Sequence, residues 1–251
     1  MAGVKDRIAL VTGAGRGIGR RAAEMLAERG ARVMCVSRSE AELADVGLDY
    51  AVADLGTPEG CAAAVAATEK QLGPIEIFVC NHGIGSAHER VIWEQDQELW
   101  AETMRINLDG PFYLSRLIVG RMVEQKYGRV VFTSSTAGLI AEHAGSAYNA
   151  SKHGLLGLMR SVALDGGAYG ITSNAVLPGW VRTEMAEKSA IQEGKDRGMT
   201  AEQVWEERDA MYPPGRVITV DEVAEAIAFL ASEESSGISG EAIKISLGAI
   251  E

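Results

Sequence analysis

The chain has 251 residues, 47% of them hydrophobic and 24% charged, which is enough for one large α/β domain with a full core. Its 24 Lys and Arg against 35 Asp and Glu leave a formal charge of −11, with no dense basic run, so nucleic acid and other polyanions are repelled. Three scattered cysteines, Cys35, Cys61 and Cys80, supply neither a disulfide framework nor the paired spacing of a zinc site.

The first residues lack the apolar core of a signal peptide, and no run approaches the roughly 18 apolar residues of a membrane span. A soluble, cytoplasmic protein with no metal, nucleic-acid or membrane partner is expected. Along the chain, short β-branched runs alternate with longer amphipathic stretches, the pattern of a parallel sheet covered by helices on both faces. The first strand is predicted at 8–13 and a helix at 18–29. Six more strands are predicted at 31–37, 48–55, 75–80, 128–135, 171–179 and 241–246, with helices at 58–72, 97–125, 147–168 and 221–231. These elements describe one α/β domain over 1–251, a doubly wound Rossmann-type parallel sheet of about seven strands with right-handed crossovers. Residues 182–217 break the alternation with mixed charges, Met185, Trp205, Met211 and Pro213-Pro214-Gly215. They read as an irregular insertion over a pocket, a lid on the substrate.

Between the first strand and the first helix lies Thr12-Gly13-Ala14-Gly15-Arg16-Gly17-Ile18-Gly19. The strict G-x-G-x-x-G fingerprint fails, because the sixth position from Gly13 is Ile18 and from Gly15 is Arg20; the register G-x-x-x-G-x-G fits Gly13, Gly17 and Gly19. A helix start carries unpaired N–H groups and the positive end of the dipole, so this loop is either a pyrophosphate cradle or a glycine-rich turn without a ligand. An NAD site usually places an acid about 20 residues further on, against the ribose 2′-OH. Here the second strand ends Val36-Ser37-Arg38-Ser39, without a carboxylate. Arg38 and Arg16 are suited to a 2′-phosphate, which favours NADP(H) over NAD; the other reading makes them solvated surface arginines.

Further on, Tyr148 and Lys152 stand four apart at a predicted helix start and so share one face. A phenol with an unperturbed pKa near 10 becomes a usable acid/base nearer neutrality when an ammonium stabilises its phenolate. Two hydroxyls, Ser134 and Ser135, close the strand Val130–Thr133 at its C-terminal end, where doubly wound sheets bind ligands, and can hold a carbonyl oxygen.

In this order, the glycine loop, Asn81-His82-Gly83, an isolated Asn107, Ser134-Ser135 and Tyr148-Asn149-Ala150-Ser151-Lys152 make the chain resemble a short-chain dehydrogenase/reductase over essentially its whole length. The resemblance implies a tetrad of Asn107, Ser135, Tyr148 and Lys152, with Ser135 selected over Ser134 because it lies thirteen residues before Tyr148. It implies that Tyr148 exchanges a proton with the substrate oxygen, Ser135 binds that oxygen, and Lys152 binds the nicotinamide ribose. Asn107, in mid-helix, would hold a water that links Lys152 to solvent. Cofactor contacts are implied at Gly13, Arg16, Gly17, Ile18, Gly19, Ser37, Arg38, Asn81, Gly83, Tyr148 and Lys152. They extend to Asp54 and Leu55 at the adenine, and to Pro178, Gly179, Val181 and Thr183 along the nicotinamide, with Thr183 at the carboxamide.

The departures are Cys80 and His82 in the family's NNAG element, and Ile245-Ser246-Leu247-Gly248 near the C-terminus, where a VDGG-like run contributes to subunit contacts. His82 either packs as a hydrogen-bonded core histidine or touches the ligands. His143, Trp180 and Met185, with Ser135 and Tyr148, are candidates to line the substrate pocket; His143 has a surface role as its alternative, and Trp180 and Met185 a place in the lid core. The resemblance implies an NADP-dependent oxidoreductase of a ketone, or of an oxoacyl thioester, acting on a small-molecule carbonyl/alcohol pair. The alternatives are an NAD-dependent sugar, polyol or hydroxy-acid dehydrogenase and a non-catalytic nucleotide-binding protein. A homotetramer or homodimer is implied, with the segment 97–125 and the helix from Ala147 as its faces.

Overall fold

The computed structural model describes residues 3–86, 88 and 90–249; the outermost ends of the expected 1–251 domain lie outside them. Seven strands form one sheet: β1 (Ile8–Thr12), β2 (Arg32–Ser37), β3 (Asp49–Val52), β4 (Ile77–Cys80), β5 (Gly128–Thr133), β6 (Ile171–Pro178) and β7 (Ala242–Ile245). Their spatial order is β3-β2-β1-β4-β5-β6-β7, and every pair is parallel. Parallel neighbours require crossovers, and helices fill them on both faces.

Strand side chains alternate between two cores, as a period of two demands. Ala9, Val11, Val33, Cys35, Val79 and Val176 face one way, against α1 (Gly17–Glu28) and α9 (Val220–Leu230). Leu10, Met34, Phe78, Phe132, Ala175 and Leu177 face the other, against α3 (Pro58–Gln71), α5 (Gly110–Gln125) and α6 (Ser146–Gly166). Both faces being covered, β1, β4, β5 and β6 are buried at every position. Each fully buried Leu or Ile, such as Leu26 or Ile118, contributes roughly 1.5–3 kcal/mol relative to exposure.

Three expectations change. The long helix predicted over 97–125 is two: α4 (Gln97–Met104) and α5 are joined by a wider π turn, Arg105–Asp109, in which the Gly110 N–H reaches back to the Arg105 carbonyl. Pro111 has no N–H for the ladder, and Gly110 has no Cβ to strike the Leu55 carbonyl, so the coil widens where it meets the sheet. Residues 182–217 are not irregular: they hold α7 (Glu184–Arg197) and α8 (Ala201–Ala210), joined through Gly198 at φ +68° and started by a Thr200/Gln203 capping box. This pair has a small core of its own, Ala186, Ala190, Val204 and Trp205. A short helix, α2 (Glu40–Val46), was not anticipated; Ser39 caps it and Gly47 ends it at φ +74°. Among the described residues no helix is long and apolar enough to cross a membrane.

Candidate active site

Strand order reverses at β1 and β4, so the crossovers leave on opposite faces and a crevice opens at the strands' C-terminal ends. A cleft of about 760 Å³ lies there. All the expected cofactor-binding residues line it except Gly19, and so do Ser135, Trp180 and Met185; Asn107 and His143 do not.

The glycine loop forms the floor. Gly13 and Gly17 take φ of +63° and +55°, which L side chains rarely adopt, and a methyl group at Gly19 would run into the Gly13 carbonyl oxygen and the Asn81 amide. Gly19 therefore sits beneath the loop as a packing position. Arg16 stands at the N-cap of α1 without a side-chain cap, which leaves the first N–H groups of that helix for an anion at the cleft wall. Thr12 fastens the loop to β4: its Oγ1 accepts from the Asn81 and His82 N–H groups at 3.0 and 3.3 Å. The His82 Nδ1 lies 2.9 Å from the same oxygen, and burial pushes its imidazole pKa down to about 3, so the ring is neutral; half-buried, it also lines the cleft.

At the other end, α6 begins beside the last residues of β5. Tyr148 and Lys152 share a face of its first turns, with Lys152 Nζ 5.5 Å from the Tyr148 ring centre. The ammonium is buried and donates to the Thr133 carbonyl at 3.0 Å, and burial lowers its pKa to about 8. The two adjacent serines have separate tasks. Ser134 Oγ donates to the Lys152 carbonyl at 3.2 Å and is buried, whereas Ser135 Oγ, half-buried, accepts from the Ala137 N–H at 3.1 Å and keeps its own hydrogen. Asn107 sits in the π turn rather than in a regular helix. Its Oδ1 accepts from the Ile84 N–H at 2.8 Å, and its Nδ2 donates to the Ile84 carbonyl at 2.9 Å and to Ser151 Oγ at 3.2 Å. A Cβ on Gly83 would lie 3.1 Å from Asn107 Oδ1 and 3.7 Å from Lys152 Nζ, so Gly83 is the thin wall between them.

The first turns of α7 border one side of the cleft. Thr183 caps α7 by accepting from the Ala186 N–H at 3.3 Å, which leaves its O–H hydrogen available to the cleft. Met185 lies over Gly85, and Trp180 serves two places at once: it lines the cleft and carries the Arg208 guanidinium 3.5 Å above its ring, with Trp205 edge-on at 6.5 Å. His143 is the correction among the substrate candidates. It is exposed on the loop before α6 and is not among the residues that line the cleft, whereas its neighbour Glu142 is.

At the end of the cleft beside β2 and β3, Asp54 accepts from the Gly56 N–H at 3.0 Å and pairs with Arg105 at 3.3 Å, and these hold its carboxyl below the usual range. Arg38 stands exposed at the rim, in no ion pair among the described residues. Arg16 is not free: it pairs with Glu42 at 3.0 Å and Glu184 at 2.8 Å. Residue-by-residue reading missed Glu42 and Tyr212. Ser39-Glu40-Ala41-Glu42 carries the S-x-x-E signature of a helix start, a signal for α2 though not for the loop that Glu42 meets. Tyr212, whose Oη takes the Trp180 N–H at 2.6 Å, comes from a distant turn with no sequence mark.

Over residues 13–249 the chain matches the family model described as enoyl-(acyl carrier protein) reductase. It is 33% identical over 252 residues to the 3-oxoacyl-(acyl-carrier-protein) reductase of Vibrio cholerae, with 98% of each chain covered. Levodione reductase superposes with a TM-score of 0.93 at 32% identity, covering 97% of both chains. An actinorhodin polyketide ketoreductase variant solved with NADPH gives 0.90 at 31% identity and 98% of each. The chain belongs to the short-chain dehydrogenase/reductase family and is an oxidoreductase of that family, whose members use NAD or NADP. The uncapped start of α1, the glycines without room for side chains and the cleft that runs from Arg38 to Tyr148 fit such a dinucleotide.

Proposed function

We propose that the protein reversibly reduces a ketone to a secondary alcohol with NADPH, and that Tyr148 is the acid/base. The observation that carries this reading is the buried Lys152 ammonium 5.5 Å from the Tyr148 ring, beside Ser135 and at the far end of one cleft from the glycine loop. The bound nicotinamide supplies or accepts the hydride. Ser135, positioned by accepting from the Ala137 N–H, donates its hydrogen to the substrate oxygen. Tyr148 gives its phenolic proton to that oxygen during reduction and takes it back during oxidation. Lys152, held by the Thr133 carbonyl, keeps the phenolate stable while the proton is away. The Asn107 side chain is positioned by Ile84 and Ser151, and Asn107 is the residue that would hold a water linking Lys152 to solvent.

The N–H groups at the start of α1 bind the pyrophosphate, Asp54 and Leu55 flank the adenine, and Pro178, Gly179, Val181 and Thr183 border the nicotinamide. Arg38 meets the 2′-phosphate. Relatives support the phosphorylated cofactor and a carbonyl substrate, since one is named a 3-oxoacyl reductase and another was solved with NADPH. The α7–α8 pair covers the substrate within a single catalytic domain. Phe112 on α5 and Leu164 on α6, both exposed, are the apolar contacts of the homotetramer, and light scattering that finds a monomer overturns that assembly.

Replacing Tyr148 with Phe is expected to cut turnover by about 10²–10⁴ while NADPH still binds. Unchanged turnover rejects Tyr148 as acid/base. Titration that finds NADH bound as tightly as NADPH replaces this cofactor reading with an NAD-dependent sugar, polyol or hydroxy-acid dehydrogenase.

A further inference from the structure

The end of β2 lacks the carboxylate of an NAD site, yet the fold brings one in from α2. Glu42 reaches back over the glycine loop: a Cβ on Gly15 would lie 2.9 Å from Glu42 Oε2 and 3.2 Å from Ser37 Oγ. Its other oxygen holds Arg16 at 3.0 Å, while Glu184, the first residue of α7, holds the same guanidinium nitrogen at 2.8 Å. Arg16, Ser37, Arg38, Ser39, Glu42 and Glu184 all line the cleft at its adenosine end.

We propose that Glu42 is a specificity-determining residue that restrains the preference for the 2′-phosphorylated cofactor by competing with the phosphate for Arg16. The proposal rests on the reading in which Arg16 and Arg38 meet that phosphate. Two carboxylates on one guanidinium leave the trio with a net negative charge, so a phosphate approaching Arg16 must displace a carboxylate or tolerate it. The two acids are not equivalent. Glu184 has a second cation, Lys188 at 2.7 Å, to which it can retire; Glu42 has no other ion pair among the described residues. Glu42 is therefore the larger obstacle, and it offers an unphosphorylated ribose a hydrogen-bond acceptor instead. The carboxylate missing from the β2 end is in this way partly restored from the next helix.

The test is calorimetric titration of the cofactor-free protein with NADPH and with NADH, in the wild type, Glu42→Gln, Glu184→Gln, Arg16→Met, and Glu42→Gln combined with Arg16→Met. Glu42→Gln preserves side-chain shape and leaves the Ser39 cap on the Glu42 N–H in place. It is expected to tighten NADPH about three- to tenfold, the size of one partly exposed charge interaction, with NADH moved less than twofold. Glu184→Gln is expected to give a smaller gain. Against the Arg16→Met background the gain from Glu42→Gln should fall by at least half. An unchanged NADPH/NADH ratio in Glu42→Gln overturns the proposal, and so does a gain of full size without Arg16. A wild type that binds NADH more tightly than NADPH defeats the NADP reading instead, and that result is read from different titrations.

Discussion

The two ends of the cleft are built from opposite materials. At the end beside α6 one cation, Lys152, is buried and held by a backbone carbonyl, and Asn107 and Ser134 are committed through buried hydrogen bonds. At the opposite end Arg16, Glu42 and Glu184 form a half-exposed network of side chains that water and salt can reach, with the exposed Arg38 beside it. Packing sets geometry where chemistry needs sub-ångström placement, and the low local dielectric strengthens each interaction there. In the function proposed above, selectivity between cofactors belongs to the end where charges are solvated, each contributing about a kcal/mol or less and open to change by single substitutions.

After loss of turnover in Tyr148→Phe, the largest expected effect tests what burial costs. The Lys152 pKa falls from 10.5 in the unfolded chain to about 8 in the fold. Between those values the unfolded chain binds more protons, so stability rises with pH from about 8 to about 10.5, and below 8 the full penalty of burying the charge is present. Lys152→Met removes that penalty and loses one hydrogen bond. At pH 7 it should be inactive yet more stable by about 1–3 kcal/mol, with the advantage shrinking as pH approaches 10.5 in thermal melts. A Met variant less stable than wild type at pH 7 would show that the hydrogen bond to Thr133 outweighs burial.

Arg38→Asp probes the exposed end. Exchanging attraction for repulsion should weaken NADPH by about 10–100-fold and leave NADH within a few-fold. If the ratio does not move, Arg38 is a surface residue and the phosphate lies elsewhere. The smallest effect is expected from salt. Screening shortens from about 10 Å at 0.1 M to about 3 Å at 1 M, so the NADPH/NADH affinity ratio should narrow across that range while turnover at saturating cofactor holds. Turnover falling in step with the ratio would erase the contrast between the two ends.

The sequence by itself determined the seven strands, the glycine loop and the shared face of Tyr148 and Lys152, because those features depend on local order: alternation along buried strands, glycine where backbone turns, and i, i+4 spacing on one helix; the choice of Ser135 over Ser134 came from the family resemblance. It did not reveal the helices of 184–210, since that pair buries only a few residues and presents a mostly polar surface with weak periodicity. Nor did it reveal the π turn, which arises where Gly110 and Pro111 meet the sheet and the Leu55 carbonyl. Only the tertiary structure decided that Arg16 shares its charge with Glu42, 26 residues away, and with Glu184, 168 away. An ion pair between distant segments leaves no period in the chain, because folding alone brings its partners together.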